Sequence, residues 1–187
     1  MWKASRKHRN YFNCQEQIHK VDLDLTAQIL TTNNMTNLTA FGLENLINRN
    51  EDVAAFGTPA DAVADEWIIK AEQRLGHPLP DSYKWFLRNY AGGEVGTEEI
   101  YSIYGMDFDD INGGDIVFQH INGLKNKSTT PEKLVISKTD LGEVFFFNYD
   151  TYKDNECHIF LRIPSGAAIF YAENFYEYLT KRIIANS

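Results

Sequence analysis

Between Glu94 and Asp115 the chain places seven carboxylates, Glu94, Glu98, Glu99, Asp107, Asp109, Asp110 and Asp115, in a stretch that contains no Lys or Arg. Tyr101, Tyr104 and Phe108 are interleaved with them. Aromatic anchors in acidic surroundings are the composition of a surface that captures a basic protein, because opposite charge raises the encounter rate and buried rings slow dissociation. The contact residues this pattern selects are Glu98, Glu99, Tyr101, Tyr104, Asp107, Phe108, Asp109 and Asp110. The rival reading of the same residues is a solvated acidic loop beside a strand whose tyrosines pack partly inward, since charge runs are commonly solvated faces.

Other chemistry is poorly served. Asp107, Asp109, Asp110, Asn112 and Gly113 superficially resemble a calcium loop, yet counting from Asp107 puts Ile111 at the fifth position and Phe118 at the twelfth, where oxygen ligands belong. Counting from Asp110 puts Gly114 at the fifth position and fails as well. The histidines, His8, His19, His77, His120 and His158, form neither an HExxH pair nor an i, i+4 pair, and no GxGxxG or Walker loop is present. Cys14 and Cys157 are too isolated for a disulfide framework or a zinc site and read as reduced thiols. The expectation is a protein without metal, cofactor or catalytic residues. A metal-dependent hydrolase built on the acidic loop stays open as a third reading, which divalent-ion titration would separate from the others.

Charge narrows the partners further. The 26 acidic residues against 18 basic ones give a formal net charge of −8, so the field of the whole molecule repels phosphate backbones and anionic membranes. No run approaches the roughly 18 apolar residues of a spanning helix, the densest being Val144 to Phe147. Met1 to Arg9 is a basic start with no apolar segment behind it, which predicts a cytoplasmic protein. Residues 1–34 are the exception in charge. Lys3, Arg6, Lys7, Arg9 and Lys20 outnumber Glu16, Asp22 and Asp24, and the segment closes in the polar run Thr31 to Asn34. It reads as a basic, flexible extension, with a nucleic-acid-binding arm as the alternative.

The elements that would hold the acidic stretch are helices first and strands afterwards, a segregation that predicts an α+β fold in one domain. Residues 35–57 read as a leading helical segment around Phe41, Leu43, Leu46 and Ile47, and residues 58–187 as the main domain. Thr58, Pro59 and Asp61 predict a helix start, after which Val63, Trp67, Ala71 and Leu75 recur every four residues until Gly76. Pro80 and Asp81 open a second helix carrying Tyr83, Phe86, Leu87 and Tyr90, stopped by Gly92 and Gly93. A strand over Ile100 to Met106 and an ambiguous short helix over Asp115 to Leu124 follow. Lys133 to Ser137 and Glu143 to Tyr149 form a hairpin across a turn at Thr139 to Gly142. Cys157 to Ile163 and the short apolar stretch Ala167 to Tyr171 come next, and a last helix carries Phe175, Tyr178, Leu179 and Ile183 on one face. Phe145 and Phe147 alternate with Phe146, which is either covered as part of a central strand or exposed in a second binding patch.

Ile69, Glu72, Leu75, Gly76, Leu79, Pro80, Tyr83, Phe86 and Leu87, followed by Gly92 and Gly93, resemble the opening signature of the Smi/Knr domain of the SUKH superfamily. Leu134 to Ser137, Asp140, Gly142 and the aromatic strand ending at Asp150 are similar to the family's central hairpin. Ala172, Phe175, Tyr178 and Leu179 resemble its closing helix. The resemblance covers about residues 60 to 184 and departs from the pattern between Asp107 and Thr130. It implies a single α+β domain with helices packed on one face of a mostly antiparallel sheet. It also implies a non-enzymatic role: bacterial members are mostly immunity proteins that neutralise secreted polymorphic toxins, many of them nucleases, and fungal members regulate cell-wall assembly and signalling. A nuclease must carry a basic phosphate-binding site, which an acidic inhibitor can cover by carrying the substrate's charge. The function expected is therefore occlusion of a cognate, basic protein toxin. The runner-up is a regulatory scaffold of the cell-wall or signalling kind.

Overall fold

The computed structural model describes residues 39–187; the basic extension, Cys14 and the start of the leading segment lie outside the described residues. Apolar residues at helical spacing give α1 (Ala40–Arg49), which buries Leu43 and Ile47. A three-residue strand β1 (Ala54–Phe56) follows it, so the leading segment supplies a sheet edge as well as a helix. The first strong helix, α2 (Asp65–Leu75), begins later than Thr58. Thr58 and Asp61 instead close a turn, with Asp61 Oδ2 accepting from the Thr58 amide at 2.9 Å and its hydroxyl at 2.8 Å. The chain then stays extended as far as Ala64, because the Val63 amide donates to the Leu87 carbonyl (3.1 Å) and pins it to the next helix. Gly76, at φ 77°, ends α2 in the left-handed region that glycine tolerates.

The joint to α3 (Asp81–Tyr90) is fastened from both sides. Glu72 Oε1 accepts from the Leu79 amide (2.8 Å), and Lys84 Nζ lies 3.7 Å from Glu72 and 3.0 Å from Asp81. The N-terminus of α3 is held by a distant turn: Glu156 accepts from the Ser82 amide (2.8 Å) and from its hydroxyl (2.6 Å). The same hydroxyl oxygen accepts from the Phe175 amide (3.1 Å), so one buried serine serves the first turns of two helices. Ser82→Ala is therefore expected to lose about 1–3 kcal/mol, since it leaves Glu156 and the Phe175 amide short of partners. Urea denaturation monitored by circular dichroism measures the change.

The sheet has seven strands in the order of the sequence, every neighbouring pair antiparallel. After β1 come β2 (Gly93–Val95), β3 (Glu98–Ile100), β4 (Lys133–Lys138), β5 (Val144–Asn148), β6 (Ile159–Arg162) and β7 (Ala168–Ala172). The strand expected over Ile100 to Met106 is thus displaced toward its N-terminus, since only Ile100 pairs with β4, at Ser137. Helix α4 (Ile116–Lys125) bridges β3 and β4, and α5 (Phe175–Asn186) closes the chain. Among the described residues no helix is long and apolar enough to cross a membrane.

The core is aromatic. Tyr83 and Phe86 of α3 meet Phe175 at 4.9 and 5.2 Å between ring centroids, and Tyr83 meets Phe147 of β5 at 5.6 Å. Phe145 packs on Tyr178 (5.3 Å) of α5. Phe146, which alternation turns away from these rings, is buried too, opposite Val135 and Phe160 in neighbouring strands, so β5 is the covered central strand.

His120 of α4 is buried, and its Nδ1 has no hydrogen-bond partner among the described residues. Burial, helped by the neighbouring charge of His77, lowers its pKa below the ordinary histidine value. A group depressed in the folded state contributes stability above its unfolded pKa, near 6.5, and loses it as pH falls through the folded value. The free energy of unfolding should accordingly decline as pH falls below about 6.5, and His120→Met should flatten that decline in urea titrations run at successive pH values.

Candidate protein-binding surface

The β2–β3 hairpin turns at Gly96 (φ 62°) and pairs Gly93 with Ile100, Glu94 with Glu99 and Val95 with Glu98. Alternation sends Glu94 and Glu99 out together on one face, while Glu98 and Val95 go in. Two carboxylates directly opposite each other on antiparallel strands repel. No Lys or Arg lies within ion-pair distance of either among the described residues.

The chain leaving β3 makes a loop whose neck is tied by Asp115. The Ser102 amide donates to the Gly114 carbonyl (3.0 Å), and the Ile116 amide to the Ser102 carbonyl (2.7 Å). Asp115 is fully buried and fully occupied. Its Oδ1 caps α4 by accepting from Val117 (2.9 Å) and Phe118 (3.0 Å), and its Oδ2 accepts from the Tyr104 amide (3.1 Å). Tyr104 is fixed at its other end, the hydroxyl accepting from the Gly114 amide (2.9 Å) and donating to Glu99 Oε1 (3.0 Å). Partial burial and the bond to Glu99 raise its pKa, so it stays a neutral donor.

Tyr104, Glu99 and Glu94 line a cleft of about 400 Å³ with Tyr90, Asp61, Gly57 and the Ala91–Gly93 backbone. Asp61 enters it already anionic, because the hydrogen bonds from the Thr58 amide and hydroxyl lower its pKa. Glycine is required at the floor: Gly93 lies at φ 141°, and a Cβ there would sit 2.2 Å from the Ala55 carbonyl oxygen. Among the described residues the cleft has three carboxylates, two tyrosines and no basic side chain. Its lining is net negative.

The tip of the loop lies elsewhere, against α2. Asp109 pairs with Arg74 (2.7 Å), and Phe108 meets Trp67 edge-on at 5.8 Å. Asp107, Phe108, Trp67, Lys70 and Arg74 line a second, mixed-charge depression beside them.

A SUKH family model described as SMI1-KNR4 cell-wall matches residues 65–179, which reach from the start of α2 into α5. The chain belongs to the SMI1-KNR4 family. The matched span holds the helix pair, strands β2 to β7 and the whole acidic loop, including the Asp107 to Thr130 segment where the sequence resemblance broke off. Asp61 and Gly57, on one wall of the cleft, lie outside it.

In this SMI1-KNR4 domain the residues selected from sequence separate into three places. Glu99 and Tyr104 meet in the acidic cleft, and Asp107, Phe108 and Asp109 meet at α2, with Asp110 exposed beside them. Glu98 and Tyr101 do neither, and are corrected here to structural roles. Glu98 is 4% exposed and bound to Arg182, while Tyr101 is 6% exposed with its carbonyl accepting from Tyr83 Oη (2.7 Å). Burial pushes the Tyr101 phenol up to about 12. Strand alternation was the signal that could have separated Glu98 from Glu99. Glu94 was visible in the acidic stretch, whereas Tyr90 and Asp61 reach the cleft from α3 and the Thr58 turn, and only the fold brings them there.

Proposed function

We propose that this SMI1-KNR4 domain is an immunity protein that binds a cognate basic toxin one-to-one and neutralises it by occlusion. The observation that carries this reading is the cleft beside Tyr104, where Glu94, Glu99 and Asp61 converge with no cation among the described residues. An uncompensated cross-strand glutamate pair costs the free protein stability, and a Lys or Arg from a partner would relieve it. A nuclease is the toxin class that fits best, since its substrate site is basic. A complex of this kind would bury on the order of 1,600 Å² in total.

The test is a pull-down from the native host with the full chain as bait, washed at moderate salt, the retained proteins being identified by mass spectrometry. Recovery of one basic toxin domain in equal amount, lost when Glu94 and Glu99 are changed to Lys, is the expected result. The family's cell-wall description favours a second reading, a regulatory scaffold. Recovery of wall-synthesis or signalling enzymes in place of a toxin would establish that one instead.

A further inference from the structure

Among the described residues the cations with no carboxylate within ion-pair distance are Arg49, Lys125, Lys127, Lys133, Lys138 and Arg162. All but Arg49 come from the end of α4, the turn after it, and strands β4 and β6. Between Ile116 and Thr139 four lysines meet a single carboxylate, Glu132, in a chain whose net charge is −8. The unpaired positive charge of this acidic protein is therefore concentrated in one region.

The sheet sets three of these side chains on one face. Lys138, Val144 and Arg162 stand directly opposite one another in β4, β5 and β6, so both cations project from the same side, two strand spacings or roughly 10 Å apart at the backbone. Lys133 projects from that side at the other end of β4, its ammonium 5.7 Å from the Phe146 ring. Val144 and Phe146 are buried and give the face an apolar floor. The charged ends are drawn toward each other. Arg162 Nη1 donates to the Ser128 carbonyl in the turn between α4 and β4 (2.8 Å), which carries the guanidinium back across β5 toward β4. Lys138 Nζ donates to Gln119 Oε1 of α4 (3.3 Å) and lies 5.9 Å from the Tyr101 ring, whose phenol stays neutral and offers no counter-charge. Burial and, after it, the positive charge of Arg162 lower the Lys138 pKa, so the two cations act on each other.

We propose that Lys138 and Arg162 hold a phosphoryl group between them on this face, with Lys133 adding its charge from the side. An anion placed there relieves the repulsion between the two. A carboxylate would answer only one of them, whereas a phosphate monoester carries about −1.5 to −2 charges at neutral pH and three acceptor oxygens, enough for both. Arg162 uses Nη1 on Ser128, leaving Nε and Nη2 for the paired contact a guanidinium makes with phosphate oxygens. A nucleic-acid strand is the poorer occupant, because the charge of the whole chain repels a run of phosphates. Neither Lys138 nor Arg162 lines the acidic cleft, and the site does not depend on the immunity reading.

The experiment is a titration of the full chain with inorganic phosphate at constant ionic strength, followed by amide NMR. Saturable shifts centred on Lys138, Arg162 and Ser128 are expected. Arg162→Gln and Lys138→Gln should each weaken binding about tenfold, the loss of one charge-assisted contact, while Arg49→Gln should leave it unchanged. The same spectra show that each variant is folded. A phosphoserine peptide with neutral flanks, titrated in parallel, separates the two sources of the group: tighter binding than inorganic phosphate assigns it to a phosphorylated partner chain, and binding no tighter assigns it to a small phosphate. Absence of saturable shifts at these amides, acetate binding as tightly as phosphate, or Arg162→Gln and Lys138→Gln variants that bind like the parent overturns the proposal.

Discussion

Replacing Glu98 with Ala should remove about 3–5 kcal/mol of folding stability, a large part of what a domain of this size possesses. The carboxylate is the meeting point of three elements. Arg182 of α5 donates to it through Nε (2.8 Å) and Nη2 (2.5 Å), Tyr178 through its hydroxyl (2.9 Å), and Ser137 of β4 through its own hydroxyl. Glu98 itself starts β3, so the network staples the closing helix to the middle of the sheet. Truncation leaves a guanidinium that is only 15% exposed on its side chain facing Phe145 with no counter-charge, and leaves the buried Ser137 and Tyr178 hydroxyls, 2.7 Å apart, with only each other to bond. Glu98→Leu combined with Arg182→Met should recover most of the loss, because apolar residues of similar volume replace a buried ion pair at little cost. Thermal melts of the three variants decide the matter: a fall of the midpoint by about 10 °C or more is expected for Glu98→Ala, with the double variant close to the parent. A change below 1 kcal/mol for Glu98→Ala would show that solvent reaches the site and would return Glu98 to the candidate contact residues.

Reversing Glu94 and Glu99 together to Lys should weaken binding of the toxin recovered by pull-down at least 100-fold at low salt, equivalent to about 2.7 kcal/mol. Both carboxylates face one cleft, and a cationic partner group placed there is held by both, by Asp61 and by the Tyr104 side of the wall. Reversal replaces attraction with like-charge repulsion and slows the encounter as well. The same residues should behave oppositely in the free protein. Glu94→Gln relieves the cross-strand repulsion and should raise stability by about 0.2–1 kcal/mol. A residue pair that strengthens the complex and weakens the free fold is the signature of a surface shaped by its partner. Titration calorimetry and urea unfolding on the same variants test both halves, and a loss of affinity under tenfold would remove the cleft from the interface. Changing Asp109 alone should do much less, since Arg74 already neutralises it at an exposed site where such pairs contribute little.

What the sequence determined by itself is the fold class and the longer elements. Leu75 with Gly76, Tyr83 with Phe86 and Leu87, and the Phe145–Phe147 run lie where local periodicity and glycine geometry act over a few residues, and α2, α3 and the β4–β5 hairpin follow from them. The resemblance to the SMI1-KNR4 family was legible for the same reason, because the residues that carry it here are those core positions, all within the matched span. The start of α2 was misplaced because Thr58 and Asp61 satisfy each other in a turn while a distant carbonyl, Leu87, captures the next free amide. The short strands β1 and β2 carried too few residues for alternation to register, and they exist through pairing, β1 with β2 and β2 also with β3. Charge composition found the acidic stretch but could not sort it, since a carboxylate's role depends on which neighbour faces it. Glu98 met Arg182 from the far end of the chain and became structural, while Glu99, one residue on, met Tyr104 and the cleft. Only tertiary packing brought Asp61 and Tyr90 to that cleft, because their meeting depends on long-range contacts that no window of sequence contains.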